Sequence, residues 1–500
     1  MVKEVEEERQ QEDQQEQPEQ KQENQSRYIR IKKFPFFMGI FLLIFLTAGI
    51  TLLALTFGDE KQVQPISRER QEFEKLYSTY DTLNKDYYTD IDQDKIIDGA
   101  IKGMITSLDD PYTDYMDEKQ AESFHENISS SFEGIGAEVQ QKDNQITIVS
   151  PIKGSPAERA GLKPRDVVLS VDGKSLEGMS ANEAVLLIRG KKGTKVNLSV
   201  LREGNTQPIK VSITRDTIPI ETVYAKMLKD KIARIQVTSF SERTGSELEK
   251  SMKEMQAQGM KGMVLDLRQN PGGLLDQAMK IASLFVPKDE VVFQVEYRNG
   301  KKEIAKSQNT GGKPEFPVVV LVDEGSASAS EIVAAALSES AGIPLVGVKT
   351  YGKGTVQTTE EFKDGSNVKF TMAKWLTPEG NWIHKKGIKP NVEVKLPEYA
   401  NLPFISPDKK LSINNSSEEI KAGEQMLAAL GYKPGTVDGF FDKNLQTAVK
   451  QFQKDAKLQQ TGAIEGKTTI ALMDKIRTKI QNNDVQLNKA VETVKKELAK

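Results

Sequence analysis

Three serines occupy alternate positions in the stretch EGSASASEIVAAAL (324–337), which runs directly into an apolar, helix-like segment. A serine hydroxyl is a weak nucleophile unless a base takes its proton, so the stretch is chemically interesting only if the chain supplies a partner. The apolar strand PVVVLV ends at Asp323 and EIVAAAL begins almost at once, which sets the serines on a strand-to-helix corner. The same letters also spell a capping box, Ser328-x-x-Glu331, in which hydroxyl and carboxylate each satisfy an unpaired backbone N–H. The usual base is scarce, because the only histidines are His125 and His384. A Ser-His-Asp triad stays open, although His384, in WIHKKGIKP, has cationic neighbours that resist its protonation. The alternative is a lysine whose burial lowers its pKa from about 10.4 toward neutrality, since only the neutral amine accepts a proton. Lys353 in TYGKGTVQ is flanked by Gly352 and Gly354 and leads into a strand-like run. Alternation along a strand puts Lys353 and Gln357 on one face, where the amide can hold the amine. The overlapping stretch GVKTYGKG (347–354) nearly spells a phosphate-binding loop. Gly354 stands where the magnesium-ligating hydroxyl is required and no helix follows, so nucleotide binding is set aside.

These residues are embedded in a chain of 500 residues, for which a prior of roughly 150 residues per domain suggests about three units. With 69 basic against 72 acidic residues, nothing globally basic points to nucleic acid. The absence of cysteine removes disulfides, thiol nucleophiles and zinc-thiolate sites together, and neither a metal nor a cofactor is expected. Residues 1–33 begin with a Glu/Gln-rich stretch without apolar periodicity and read as a disordered tail. Residues 34–57 carry no charge and are long enough to cross a hydrocarbon core of about 30 Å, so a single transmembrane helix is expected. Arg27, Arg30, Lys32 and Lys33 precede that run and Asp59 and Glu60 follow it. This predicts a single-pass protein of the cell membrane, its N-terminus cytoplasmic and its remainder extracytoplasmic.

Residues 58–126 show helical spacing until Asp109-Asp110-Pro111 stops it, and read equally as a spacer or a homodimerisation segment. Residues 127–216 change to short β-rich runs around one helix, ANEAVLLIR. In 217–400, strands alternate with helices, which argues an α/β layer structure with chemistry at the carboxyl ends of its strands. A linker (401–416), a small helical module (417–480) and a C-terminal helical tail (481–500) follow. In the helical module DGFFDKNLQTAV echoes TGAIEGKTTIAL, a glycine turn leading each time into an apolar helix.

The segment FEGIGAEV, with GSPAERAGLKPRDVVLSVDGKSL and IRGKKGT, resembles a PDZ domain over its whole length. The resemblance implies that a peptide adds as a strand beside Gly134 to Val139, its terminal carboxylate held by the amides of Gly134, Ile135 and Gly136. The helical module, with its LGY, DGFF and AVKQFQ stretches, resembles the three-helix peptidoglycan-binding-like domain, which implies peptidoglycan as a partner. Taken in order, the PDZ-like module, DLRQNPGG, GSASASE and YGKGTVQ resemble the C-terminal processing peptidases, or tail-specific proteases, over residues ~70–400. The implied architecture is a multidomain α+β chain whose α/β peptidase core has ClpP/crotonase-like layers with the PDZ module inserted. The implied activity is serine-type hydrolysis of peptide bonds in proteins with accessible C-termini. Carried over by position, the nucleophile is Ser328, the general base Lys353 and its orienting residue Gln357. The oxyanion donors are the Ala329 N–H and that of Gly272 or Gly273 in QNPGG. Arg189, at the end of the PDZ helix, either signals peptide binding to the nucleophile or is a solvated cation favoured by the helix dipole. A reading from another class, a non-catalytic scaffold joining PDZ ligands to cell wall, is weighed against the enzyme.

Overall fold

The computed structural model describes residues 38, 41–47, 71–142, 144–309 and 314–500. Two units are distinguished, Met1–Ile91 and Asp92–Lys500. In the first, a 3-10 turn Gln71–Phe73 leads into the helix Glu74–Asp86, which has no buried residue.

The expected transmembrane helix is overturned. Among the described residues no helix is long and apolar enough to cross a membrane. Within 34–57 the described residues are 38 and 41–47, and these are helical. The rest of 34–57, like the tail 1–33, lies outside the described residues. The single-pass placement in the cell membrane, cytoplasmic at one end and extracytoplasmic at the other, falls with the span on which it was built.

The second unit is a multidomain α+β structure. Its central sheet has six strands in the order Val223–Met227, Ile232–Val237, Gly262–Asp266, Val318–Val322, Leu345–Gly347 and Val392–Glu393. The first pair is antiparallel and the rest parallel, with Leu265 opposite Val320 and Leu321 opposite Val346. Gly262–Asp266 and Val318–Val322 are buried at every position, as parallel strands covered on both faces must be. Alternation divides their side chains. Met263, Leu265, Val318, Val320 and Val322 join a core with residues of the helices Thr244–Ala257, Leu275–Ala282 and Ala329–Ala335. Val264, Val319, Leu321 and Val346 join Ala490 and Val494 of the last helix, Val485–Leu498. The expected C-terminal tail is therefore the covering layer of the peptidase sheet. Arg268, two residues past the buried strand, fastens it by binding Asp266 and Asp484 together, each at 2.8 Å.

A second, antiparallel sheet contains Asp114–Met116, Asn367–Leu376, Val291–Tyr297 and Lys302–Lys306, with Thr355–Glu361 also paired to Asn367–Leu376. The PDZ-like module has its own core and a sheet in which Ala137–Lys142 is an edge strand. Its two connections to the peptidase pair with each other, Ser131–Gly134 against Asp216–Pro219. The C-terminal bundle packs Glu418–Ala429, Lys443–Asp455 and Lys467–Asn482 around Leu427, Phe441 and Phe452. Ile405 and Leu411, in the stretch expected as linker, belong to that core. The sequence echo has a physical cause: each glycine turn gives its N–H to a buried side chain of the preceding helix, Gly439 to Glu424 and Gly462 to Gln453, both at 2.9 Å.

Candidate active site

Two strand-to-helix corners meet at the carboxyl ends of the central strands. Asp323 receives the Gln269 N–H (2.9 Å), the Gln269 side-chain amide (2.8 Å) and the Gly325 N–H (3.0 Å). Ser326 donates to the Leu267 carbonyl (2.8 Å) and Ser330 to that of Asn270 (2.9 Å), and both serines are fully buried. The outer two of the three serines therefore rivet one corner to the other. Ser328, between them, has φ 55° and ψ −115°, a conformation that costs a non-glycine residue about 1–3 kcal/mol. The surrounding bonds hold it there, and such a strained strand-to-helix turn is the device that projects a nucleophile. Gly272 lies against this turn: a Cβ on it would fall 2.8 Å from both the Ala327 oxygen and the Ser328 Cβ.

The capping box is half made. The Ser328 N–H donates to the Glu331 carboxylate (2.9 Å), but the Glu331 N–H goes to the Ser328 carbonyl (2.8 Å), and the Ser328 hydroxyl forms no cap bond. Glu331, fully buried, also accepts from Thr350 Oγ1 (2.6 Å), Gly352 N (2.7 Å) and Lys353 N (2.8 Å). Burial pushes its carboxyl up, opposed by these four donors. With all four donors pointing at it, the group is a carboxylate, and it ties the serine corner to the Lys353 loop.

Lys353 precedes the strand Thr355–Glu361. Its carbonyl accepts from Trp375 Nε1 (2.7 Å) and that of Gly354 from Trp382 Nε1 (2.8 Å). A Cβ at Gly354 would meet the His384 backbone nitrogen at 2.8 Å, which explains the glycine. Among the described residues no hydrogen bond or ion pair reaches Lys353 Nζ; the ammonium lies 4.9 Å from the centre of the Tyr112 ring. Burial holds its pKa below the usual lysine value, helped by the charge of Lys369 and opposed by Asp110 and Glu331. Gln357 is fixed by donating its amide to Thr355 Oγ1 (3.0 Å) and Thr371 Oγ1 (3.1 Å), which leaves its carbonyl oxygen as the end able to accept from an amine.

Ser328, Ala329, Lys353, Gln357 and Gly273 line one cavity of about 390 Å³. No hydrogen bond joins Ser328 Oγ to Lys353 Nζ within it, as is common before a substrate closes such a site. Of the expected anion donors, Gly272 gives its N–H to Asn270 Oδ1 (2.9 Å). Those of Gly273 and Ala329 make no hydrogen bond among the described residues. His384 is not among the residues lining the cavity; it stacks on Trp382 at 5.1 Å and receives the Gly354 N–H on Nδ1 at 3.4 Å. His125 lies on the helix Glu118–Ser129 and does not line it either. Sequence reasoning did not single out Phe124, Ile128, Lys369 or Trp375, which also line the cavity. They arrive through long-range pairing, such as Asp114 opposite Lys369, that no local pattern reports.

In the PDZ-like module Gly134 ends the strand paired with Asp216, Ile135 is buried, and Gly136 has φ 74°. The Gly136 carbonyl is held by Ser155 Oγ (2.8 Å). Arg189 reaches out of the module to Glu126 (2.8 Å) and lies over the Phe132 ring at 4.8 Å.

Comparisons with known proteins agree with this layout. Residues 231–394 match the model of peptidase family S41, 134–213 that of the PDZ domain, 416–472 that of a peptidoglycan binding domain, and 54–120 that of the activating protease CtpB N-terminal domain. The carboxy-terminal processing protease CtpA of Bacillus subtilis (strain 168) is 54% identical over 85% of this chain and 91% of its own. The carboxy-terminal processing protease CtpB of the same organism is 41% identical over 89% of this chain and 95% of its own.

Proposed function

The chain belongs to peptidase family S41 as a serine peptidase of the carboxy-terminal processing kind, and on that footing we propose that it works through Ser328, Lys353 and Gln357. The observation that carries the proposal is the pairing, in one cavity, of a half-buried serine held in a strained turn with a half-buried lysine that has no ion-pair partner among the described residues. Neutral Lys353 takes the Ser328 proton as Oγ attacks the peptide carbonyl, and returns it to the leaving amine; water then hydrolyses the acyl-enzyme. The Gln357 carbonyl oxygen aims the amine. The N–H groups of Ala329 and Gly273 receive the developing oxyanion, each such donor being worth about 10²–10³ in rate. His384 acts as a prop beneath the lysine loop.

The PDZ domain binds peptide C-termini, along the open edge of Ala137–Lys142 with the carboxylate at Gly134–Gly136, and Arg189 reports that binding to the helix Glu118–Ser129. The C-terminal bundle takes peptidoglycan. A second copy of the chain covers the helix Gln93–Thr106, which has no buried residue and exposes Ile97 and Met104.

The test uses the purified full chain and an unstructured peptide with a free apolar C-terminus. Ser328→Ala and Lys353→Ala should be inactive and folded, His384→Ala active, and amidation of the peptide C-terminus should weaken cleavage. An active Lys353→Ala protein together with an inactive His384→Ala protein would refute the lysine mechanism.

A further inference from the structure

The sequence motif Asp109-Asp110-Pro111-Tyr112-Thr113 does more than stop a helix. Tyr112 gives its N–H to Asp110 Oδ1 (3.1 Å), Thr113 Oγ1 donates to Asp110 Oδ2 (2.7 Å), and the Thr371 N–H donates to Thr113 Oγ1 (3.2 Å). The turn is thereby clamped to the strand Asn367–Leu376, and the Tyr112 ring comes to lie over Lys353 Nζ. The ring is wedged in turn. It meets His384 edge-on at 6.2 Å, His384 lies flat on Trp382, and Trp382 holds the Gly354 carbonyl.

The geometry points to Tyr112 as the positioning residue of the base: its ring seats the Lys353 amine beside Ser328 and stabilises the positive charge that the amine gains on taking the serine proton. The inference rests on Lys353 being the base. In a Ser-His-Asp triad a carboxylate plays this part for the imidazolium. A carboxylate beside a lysine would keep the amine protonated, and so useless, before the reaction. An aromatic face attracts the cation more weakly, enough to favour the charge once formed without fixing it beforehand. Tyr112 does not become an anion in the working range, because burial and the shared hydrogen bond with Tyr351 push its hydroxyl up to about 12. The other charges facing Lys353 are Lys369 from the neighbouring strand, which opposes protonation, and Asp110 from the same turn and Glu331 from the helix Ala329–Ala335, which favour it.

Burial by the ring and attraction to its face act on the amine in opposite directions, so two truncations separate them. The experiment measures kcat and kcat/KM against pH for the full chain on the peptide above, with Lys353→Ala run alongside. Tyr112→Phe keeps the ring and should stay within about threefold of wild type with an unmoved acid limb. Tyr112→Leu keeps the cover without the ring face; kcat should fall roughly 3- to 30-fold, with the limb displaced to lower pH. Tyr112→Ala admits water to the amine and should displace the limb to higher pH. Leu and Ala variants that leave rate and limb unchanged, or displace the limb in the same direction, overturn the role of Tyr112 while Lys353→Ala stays inactive. An active Lys353→Ala protein overturns the base assignment and this inference together.

Discussion

Glu331 offers the sharpest test of how the site is held, through the substitution Glu331→Gln. Its two carboxylate oxygens accept four donors, from Ser328, Thr350, Gly352 and Lys353, at 2.6–2.9 Å. Glutamine fits the space but exchanges one oxygen for an amide that can only donate, so two of the four donors lose their acceptor. At about 1.5–3 kcal/mol for each bond to a charged group, the gross loss is roughly 3–6 kcal/mol. Relief from burying a charge, the effect that raises the Glu331 carboxyl, offsets part of this and leaves about 2–4 kcal/mol. The melting temperature of the peptidase portion should therefore fall by roughly 5–15 °C, at 2–4 °C per kcal/mol for a unit of this size. Activity should drop by about 10² or more, since the bonds lost are those that fix both reacting loops. A second signature separates charge from scaffold. Removing an anion that favours protonated Lys353 should move the acid limb of kcat/KM to lower pH. Thermal melts and pH–rate profiles of the full chain decide the matter. A variant within 2 °C and threefold of wild type by these estimates would refute the view that this carboxylate joins the two loops.

Four further outcomes are expected. Ser326→Ala and Ser330→Ala each delete a buried hydrogen bond and should cost about 1–3 kcal/mol while retaining measurable cleavage, unlike Ser328→Ala; equal inactivation of all three folded proteins would contradict the division of labour. Ending the chain after Asn483 removes Asp484 and the helix Val485–Leu498 and strips one face of the central sheet, so the peptidase should lose stability or solubility although no cavity residue is touched. Because Arg268 holds the Asp484 carboxyl below its usual range, the stability from that pair is present above the ordinary Asp value of 3.8 and lost as pH falls through the folded one; an Asp484→Asn melt should show a smaller acid dependence. Lys353 is depressed when folded, so the unfolded chain binds more protons between the folded value and 10.5 and stability rises with pH across that window; Lys353→Met should abolish the rise and melt higher at neutral pH.

Much of this was legible in the sequence because it is written locally. VVVLV reads as a buried strand since every position is apolar, and the alternate serines followed by a glycine-flanked lysine mark two loops that line the cavity. What joins those loops is not local. Tyr112 reaches Lys353, and Lys369 reaches the cavity, only because Asp114–Met116 pairs with a strand some 250 residues later, as Tyr115 opposite Val368 shows. The last helix reads as a helical tail because its apolar stripe of Leu487, Ala490, Val491 and Val494 is narrow; the sheet face it covers explains it. Ile405 and Leu411 read as linker because isolated apolar residues among Pro, Ser and Asn carry no periodicity. The uncharged run 34–57 satisfied a length rule that reads composition alone, whereas among the described residues no helix is long and apolar enough to cross a membrane.

The most direct measurement of the central claim is the rate and location of labelling by a serine-directed phosphonylating agent, read by mass spectrometry on the full chain as pH is raised. A single adduct should form on the peptide containing Ser328, faster as Lys353 loses its proton. It should be absent from Ser328→Ala, strongly slowed in Lys353→Ala and retained in His384→Ala. An adduct on another residue, or labelling that survives loss of Lys353 and fails with loss of His384, would contradict the account.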